Sequence, residues 1–480
     1  MSALLLSLFV AAAPVHRYAL VVGSNTGEGV SLAPLRYADD DAVTMHELLL
    51  EAGVESVLLA SLDADTARLH PASRPLAPPT LDALRGAFAG QRASMVRAQA
   101  AGEEVEWLFF FSGHGDVERG EGFLGLKTGR ITRAVLHDEL LSRAPADRVH
   151  VVIDACRSGS LVGSKGPGGL RLPMPAAFAA DPRWPAHVGF VLSASSAQES
   201  HEWEQVQAGV FSYEVRSALR GGADADGDGR VTYAELGAFL ETANRAIENP
   251  RFRPDFLTLP PKGREGLGAP VLSWSEPGLE AAVNERVYVE RANGERLLDL
   301  HNGPGQVSSL HLPSERPLFL RSGDQQREVL VETTTSRLTM LASRRSGEQE
   351  KGALERALGR VFETPFAFAT VEEWTRAWKP ADLSAFAVPG PPQGAVTGRT
   401  VAAISTFAGL ALGVTGFVIA WQRPNDLPAL DQRERMVRNE LITGMNALGI
   451  GGLVLSAASA ITWALICWRW ELPASPFTPP

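Results

Sequence analysis

Cysteine is nearly missing from this chain: its 480 residues contain two, Cys156 and Cys467. This excludes a disulfide framework, and it also excludes a thiolate zinc site in the soluble part of the protein. Cys467 lies in a long apolar segment near the C-terminal end, so Cys156 has no obvious partner that would oxidise it. A free thiol at Cys156 suits a nucleophile, although a buried structural cysteine would satisfy the same observation.

Long runs of lysine or arginine are also missing. The chain has 45 basic and 55 acidic residues and a formal net charge of −10. Nucleic-acid binding needs a concentrated basic face, so the sequence predicts no nucleic-acid partner. A chain of 480 residues is too long for one ordinary hydrophobic core, so we expect two or three folded units.

Apolar segments lie near both ends of the chain. Residues 1–13 hold a short apolar stretch that ends in three alanines, which is typical of a signal peptide. Residues 401–421 and 444–468 contain no charged residue, and each is long enough to cross the hydrocarbon core of a bilayer. The sequence therefore predicts a two-helix transmembrane hairpin that anchors the chain, with a buried soluble hairpin as the alternative.

The loop that connects the two apolar segments indicates their orientation. Residues 422–443 carry four arginines, while the outer flanks carry few basic residues. The positive-inside rule places such a loop in the cytoplasm. We therefore expect the N-terminal part on the non-cytoplasmic, periplasmic side of the inner membrane, which agrees with a signal peptide. The alternative is a hairpin that tethers this part in the cytoplasm.

Residues 16–262 alternate strand-like and helix-like segments. RYALVVGSN (17–25) and VEWLFFFSGHG (105–115) are continuous apolar runs typical of buried parallel strands. DDDAVTMHELLLEAG (39–53) has helical spacing, with carboxylates at its start. Repeated units of this kind predict an α/β fold with a mostly parallel sheet. A small β-rich module (265–345) and a helical or linker segment (346–398) follow.

One histidine and one cysteine stand just after two of these strands. His114 lies in SGHG, and Cys156 lies in DACRSG after a later strand. A thiol attacks as thiolate, and an imidazole commonly takes its proton. If the two strands are neighbours, both side chains project from one edge of the sheet. The backbone N–H groups of Gly115 and Cys156 would then form an oxyanion hole.

These paired motifs resemble those of the caspase-like cysteine peptidases (peptidase C14), and within them the metacaspase and paracaspase branch. The resemblance covers roughly residues 16–250. It implies a caspase-like three-layer α/β/α sandwich with a mostly parallel sheet. It also implies a cysteine endopeptidase in which Cys156 is the nucleophile and His114 transfers the proton. With the predicted anchor, this would be a bacterial membrane-anchored form.

The resemblance extends to the pocket for P1, the residue before the scissile bond. Asp41, Ser112 and Asp154 are similar to the S1 pocket residues of metacaspases and paracaspases. Carboxylates in a partly dry pocket recruit arginine or lysine, so protein or peptide substrates with a basic P1 are expected. Arg157 departs from the pattern, since metacaspases usually have histidine there, and its charge would weaken an exposed acidic pocket.

The loop after Cys156 is long and rich in glycine and proline. It carries Lys165 and Arg171, which would be self-cleavage sites if P1 is basic. An ordinary flexible loop explains the same composition equally well.

Residues 224–235 match the twelve-residue calcium loop at every side-chain position. Acids stand at positions 1, 3 and 5, glycine at position 6 and glutamate at position 12, while position 7 supplies a backbone carbonyl. The ligands would be Asp224, Asp226, Asp228, the Arg230 carbonyl and Glu235. Since no second loop is present for it to pair with, we expect Ca²⁺ to act structurally rather than as a sensor, with activation left open.

A second function class fits the same sequence. The chain would then be a catalytically inactive caspase-like binding or signalling module, anchored in the membrane.

Overall fold

A computed structural model describes residues 14–30, 33–118, 121–155, 184–193, 202–249, 252–263, 265–322, 325–328 and 352–378. The predicted signal peptide, Cys156, Arg157, the loop with Lys165 and Arg171, and both predicted membrane segments lie outside these residues. Within them, no helix is long and apolar enough to cross a membrane.

The first half of the described chain alternates strands and helices. Its strands are β1 (Val15–Ser24), β2 (Glu55–Ala60), β3 (Glu104–Gly113), β4 (Gly115–Glu118), β5 (Glu121–Gly125), β6 (Arg130–Thr132), β7 (Arg148–Asp154), β8 (Val188–Ser193), β9 (Glu202–Trp203), β10 (Ala208–Gly209), β11 (Arg230–Thr232), β12 (Phe256–Leu259) and β13 (Pro270–Ser273). Its α-helices are α1 (Ala38–Glu51), α2 (Ala64–Leu69), α3 (Leu81–Ala100), α4 (Val210–Ser217) and α5 (Tyr233–Asn244).

The main sheet confirms the expected mostly parallel architecture. In the part of the chain that the structure describes, it has six strands in the order β12-β8-β7-β3-β1-β2. All neighbouring pairs are parallel except β12 with β8, which is antiparallel. The central strands are buried along most of their length, which explains why their sequences are apolar without alternation.

Two hydrophobic cores lie on opposite faces of this sheet. Along β1, Ala19 and Val21 pack in one core with residues of α1, α4 and α5, while Leu20 and Val22 pack in the other core with residues of α3. Side chains of a strand alternate between the two faces, so a strand covered on both faces must be apolar throughout. The fold is therefore a caspase-like three-layer α/β/α arrangement.

Two local features lie between β3 and β7. Residues Val135–Leu140 form a π-helix, which is followed by a 3₁₀ turn, Leu141–Arg143. Directly after His114 the chain forms a small antiparallel sheet of β4, β5 and β6, which the strand pattern did not predict.

A second set of strands follows β13. They are β14 (Leu279–Ala281), β15 (Val287–Arg291), β16 (Arg296–Leu300), β17 (Ser308–Leu310), β18 (Leu318–Ser322) and β19 (Gln325–Glu328). Their pairs are antiparallel, in a sheet of order β16-β15-β18-β19 and a separate pair of β14 with β17. These strands enclose a small core of their own. We call residues 279–328 the β module.

Two short helices close the described chain, α6 (Gly352–Leu358) and α7 (Phe368–Ala377). Phe362 and Phe366, between them, join the core that contains α4 and α5. Trp374 of α7 lies against Gly237 of α5, where an added methyl group would meet its ring at 2.4 Å. This stretch of the chain therefore packs on the α/β fold.

Candidate active site

The strands that precede His114 and Cys156 are neighbours. β3 and β7 run parallel, and their register pairs Ser112 with Asp154. His114 follows Ser112 by two residues, and Asp154 ends β7 at the same edge of the sheet, two residues before Cys156 in the sequence. Ala155 is the last described residue before Cys156, and it is buried.

A backbone carbonyl orients the His114 imidazole. His114 is 4% exposed, and its Nε2 lies 3.0 Å from the carbonyl oxygen of Ala33. Because a carbonyl oxygen only accepts hydrogen bonds, this contact puts the proton on Nε2. In the neutral ring the lone pair is then on Nδ1, the nitrogen that can take up a proton. The sequence did not reveal this orienting group, since any residue type offers a carbonyl.

Two polar side chains from distant segments fix the start of α1, which carries Asp41. The Asn25 Oδ1 atom accepts hydrogen bonds from the backbone N–H groups of Ala38 and Asp39, and its Nδ2 donates to Asp39 Oδ1 at 2.6 Å. The Glu202 carboxylate accepts from the N–H groups of residues 36 and 37. These bonds satisfy N–H groups that a helix start leaves without an intrahelical partner. Sequence reasoning missed both residues, although Asn25 directly follows β1, where functional side chains gather.

The three residues predicted for the S1 pocket lie together. Ser112 Oγ donates to Asp41 Oδ2 at 3.1 Å, and Ser112 pairs with Asp154 across β3 and β7. Both carboxylates also converge on Gly209: a methyl group built there would lie 2.9 Å from Asp41 Oδ2 and 2.7 Å from Asp154 Oδ2. Residues far apart along the chain thus form one acidic site beside the edge that carries His114.

Neutral donors hold these two carboxylates. The Gly209 N–H donates to both oxygens of Asp41, at 3.1 and 3.2 Å. Asp154 Oδ2 accepts from the Ser212 N–H at 3.0 Å and from its hydroxyl at 2.6 Å. Burial, and after it the charge of Asp154, raises the pKa of Asp41 well above its ordinary range, against the opposing effect of Arg216.

The layer behind the pocket is also charged. Burial lowers the pKa of the Arg216 guanidinium on α4, while the charge of Asp41 acts in the opposite direction. Burial raises the pKa of Glu214 to about 8, although Asn244 Nδ2 donates to its carboxylate at 2.9 Å. Asp41, Asp154 and Glu214 thus lie near the Arg216 guanidinium, and ionising all three carboxyls would leave an excess of negative charge that a further cation would balance.

The predicted calcium loop has the geometry of a cation site. Carboxylate oxygens of Asp224, Asp226 and Glu235 lie within 4.8 Å of one another. Asp224 accepts from the N–H groups of Gly227 at 2.8 Å and Gly229 at 3.0 Å, and these glycines have φ of +75° and +78°. Left-handed backbone is where glycine is favoured, so the loop curls around the carboxylate of its first position.

The remaining predicted ligands follow in this loop. Asp228 Oδ1 accepts from the Arg230 N–H at 2.9 Å, and its side chain also lies 3.6 Å from the Arg230 guanidinium. Burial raises the pKa of Asp224 to about 6 and that of Glu235 to about 7. Two buried carboxyls that are hard to ionise suit a site in which a cation supplies the balancing charge.

A strand of the same domain pairs with the predicted calcium loop. Strand β11, which begins at the seventh loop position, pairs antiparallel with β13, matching Arg230 with Ser273. The partner is a strand of the same domain rather than a second calcium loop, and sequence patterns for paired loops could not identify it.

Comparison with known proteins assigns the family. The family model of the caspase domain matches residues 16–258, about half of the chain. Among solved structures, a structure of pro-sf-caspase-1 is 14% identical with a TM-score of 0.31, covering 49% of this chain and 84% of that chain. A crystal structure of caspase-1 from Spodoptera frugiperda is 14% identical with a TM-score of 0.30, covering 50% and 83%.

No curated protein matches the chain. The matched residues contain His114, the DACRSG motif, the three residues predicted for S1 and the predicted calcium loop. The chain therefore belongs to the caspase domain family, the C14 family of cysteine peptidases.

Proposed function

We propose that this chain is a cysteine endopeptidase that cleaves after arginine or lysine. The observation that carries the proposal is the pairing of Ser112 with Asp154 across β3 and β7. These two neighbouring strands precede the histidine and the cysteine in the sequence, and Asp41 accepts a hydrogen bond from Ser112 on one of them. This arrangement supports assignment to the metacaspase and paracaspase branch.

In the proposed reaction, His114 takes the thiol proton of Cys156 on Nδ1. The thiolate attacks the carbonyl carbon of the scissile bond, and the N–H groups of Gly115 and Cys156 stabilise the oxyanion. The imidazolium then gives its proton to the leaving amine, and a thioester remains. Water hydrolyses this thioester and regenerates the thiol. The Ala33 carbonyl supports both proton transfers because it holds the imidazole in one tautomer and orientation.

Recognition of a basic P1 follows from the charges in the pocket. Two carboxylates face one position, and their like charges raise the free energy of the empty site when both are ionised. A guanidinium or ammonium group lowers that free energy, and a guanidinium can also bond both carboxylates at once. A neutral P1 side chain would leave this unfavourable pair in place.

We further propose that residues 224–235 bind one Ca²⁺ ion. The Asp224, Asp226 and Glu235 side chains converge with the donor type that this ion prefers, and Asp228 and the Arg230 carbonyl complete the set. Bound Ca²⁺ would supply positive charge to buried carboxyls and order the chain between α4 and α5. The antiparallel pairing of β11 with β13 supports a structural role.

We also propose that a signal peptide and the two-helix anchor at 401–421 and 444–468 place this domain on the periplasmic side of the inner membrane. The proposal rests on the apolar length of these segments and on the arginines between them. A cysteine introduced near residue 280 in intact cells tests it. Labelling by a membrane-impermeant reagent is expected, and protection would place the domain in the cytoplasm.

Peptide hydrolysis tests the main proposal. The full chain is incubated with fluorogenic peptides ending in arginine, lysine, aspartate or citrulline, with and without Ca²⁺. We expect cleavage after arginine and lysine, and losses of about a thousandfold or more in Cys156→Ala and His114→Ala. Absence of hydrolysis under every condition would favour the inactive binding module instead.

A further inference from the structure

Gly209 is not required by the backbone. It precedes α4 with φ −64° and ψ +135°, a conformation that any residue adopts. The reason for a glycine at this position must therefore lie in the space around its Cα atom.

That space is bounded by the two carboxylates of the S1 site. A Cβ atom at position 209 would lie 2.7 Å from Asp154 Oδ2 and 2.9 Å from Asp41 Oδ2, both shorter than normal carbon–oxygen contacts. Asp41 is held by Ser112 and by the Gly209 N–H, and Asp154 is held by Ser212. Both are buried, so neither carboxylate can move aside without losing a hydrogen bond.

We propose that Gly209 is a specificity-determining residue of the S1 site, because its missing side chain lets Asp41 and Asp154 face the same P1 cation. The inference rests on the proposed preference for a basic P1 and adds the residue that enforces it. Gly209 acts in two ways: its N–H group orients Asp41, and its lack of Cβ keeps the two carboxylates close together. It is a positioning residue and takes no part in the chemistry.

The Gly209→Ala variant separates this role from a general structural one. The added methyl group should displace at least one carboxylate, while the backbone of β3 and β7, which precede His114 and Cys156 in the sequence, should remain unchanged. The measurement is kcat/KM for two peptides that differ in P1, arginine in one and its neutral isostere citrulline in the other. We expect the arginine-to-citrulline ratio to fall by about tenfold to a hundredfold.

Three controls accompany this variant. Gly90→Ala on α3 adds a methyl group that has nothing within 4 Å, so its ratio should equal that of the unmodified chain. Alkylation of Cys156 by iodoacetamide, which has no P1 group, should keep its rate in Gly209→Ala. In the Asp154→Asn background, Gly209→Ala should change the ratio much less, since one of the two carboxylates is already gone.

Two results would overturn the inference. One is an equal loss of arginine and citrulline hydrolysis together with slower alkylation, which would make Gly209 a purely structural residue. The other is an unchanged ratio in Gly209→Ala.

Binding to the inactive Cys156→Ala chain distinguishes this inference from the proposed activity. Calorimetry with arginine-ended and citrulline-ended peptides needs no turnover. If Cys156→Ala prefers arginine and Cys156→Ala/Gly209→Ala does not, Gly209 sets the recognition even if no peptide is hydrolysed. If neither chain prefers arginine, the inference is wrong whether or not the protein is a peptidase.

Discussion

Two acids of helix α1, Asp41 and Glu47, have opposite electrostatic surroundings. Asp41, in its first turn, faces Asp154 in the S1 site, and burial together with that like charge raises its pKa well above the ordinary range. Glu47, further along the helix, lies where the β module meets the α/β domain. Burial opposes its ionised form, but His70, Ser73 and Arg291 outweigh burial and hold its pKa at about 2.

The surroundings of Glu47 form a balanced group of charges, which we call the interface cluster: Glu47, His70, Arg291 and Glu295. His70 Nδ1 lies 3.0 Å from Glu47 Oε1. Arg291 bridges both acids, at 3.2 Å to Glu47 and 2.9 Å to Glu295. Within these four residues, two cations and two acids compensate one another when His70 is protonated, and the Glu315 carboxylate also lies 3.5 Å from Arg291.

The difference separates a binding site from a structural contact. Partners, and not burial alone, decide whether a buried carboxyl stabilises or destabilises the fold. The interface cluster joins two parts of the chain through matched charges. Asp41 and Asp154, the proposed S1 pair, bring like charges together, and raised carboxyl pKa values of this kind are typical of functional sites. Predictions follow, from the largest expected effect to the smallest.

Replacing Asp154 should have opposite effects on activity and stability. In Asp154→Asn the S1 site loses half of its charge, so kcat/KM for arginine peptides should fall by about a hundredfold or more. The same change removes the like-charge repulsion on Asp41, so the free energy of unfolding at pH 8 should rise. Peptide assays and urea denaturation measure both, with the exposed Asp82→Asn as control. A clearly destabilised Asp154→Asn would show that the pair is structural.

Replacing Glu47 should act in the other direction. Glu47→Gln removes one carboxylate from the buried cations Arg291 and His70 and leaves Glu295 beside them. This loss should lower the free energy of unfolding by about 3 kcal/mol. The variant leaves the S1 site intact, so the preference for arginine over citrulline should persist in the folded protein. Denaturation of Glu47→Gln and of Glu280→Gln, on the exposed face of β14, makes the comparison. Equal stability of the two variants would contradict the balanced cluster.

The predicted calcium loop is a second place where a cation would balance clustered acidic side chains. Ca²⁺ at about a hundred times its Kd should stabilise the fold by about 2.7 kcal/mol. Protons compete at Asp224 and Glu235, whose pKa values are about 6 and about 7, so the gain should shrink at pH 5.5 relative to pH 7.5. Thermal unfolding with and without Ca²⁺ measures this effect.

Two variants identify the source of that gain. Asp226→Asn, at an exposed ligand position, should lose most of the stabilisation by Ca²⁺ without disturbing the helix start, whereas Glu241→Gln on α5 should retain it. A stabilisation that survives in Asp226→Asn would place the ion elsewhere.

The pH dependence of stability gives the smallest effect. Burial disfavours protonated His70, but Glu47 and Glu295 outweigh it and raise its pKa. A raised pKa means that this contribution is complete below the unfolded value near 6.5 and is lost as pH rises through the folded value. Between pH 6 and pH 9 the free energy of unfolding of the unmodified chain should fall by on the order of 1 kcal/mol more than that of His70→Gln.

Asp41 also makes the free energy of unfolding fall as pH rises, because its pKa is higher in the folded state than in the unfolded state. His70→Gln and Asp41→Asn together separate the two contributions. Identical pH profiles for the unmodified chain and His70→Gln would show that His70 is neutral in the cluster.

Several features could be predicted from sequence because their causes are local. Continuous apolar runs predicted the parallel strands, since a strand covered on both faces must be apolar at every position. The spacing of acids and glycines in residues 224–235 predicted a cation loop because each ligand position lies in one short segment. The motifs around His114 and Asp154 marked strand ends, where parallel sheets gather their functional groups.

Other features depend on contacts between residues that are distant in sequence. Asn25, which follows β1, and Glu202, the first residue of β9, cap the start of α1. No pattern within α1 itself predicts either residue. Glu47 and Arg291 are 244 positions apart. The carbonyl of Ala33 orients His114 through a group that every residue possesses.

By itself, the amino-acid sequence determined the main parallel strands, the chemistry available at residues 114 and 156, and the spacing of acids and glycines in residues 224–235. Each of these depends on residue types at short range. The tertiary structure alone decided that Asp41 and Asp154 meet beside Gly209, and that β11 pairs with β13. Hydrogen bonds and charge interactions depend on distance in space. Residues that are far apart in sequence come close together only when the strands pair.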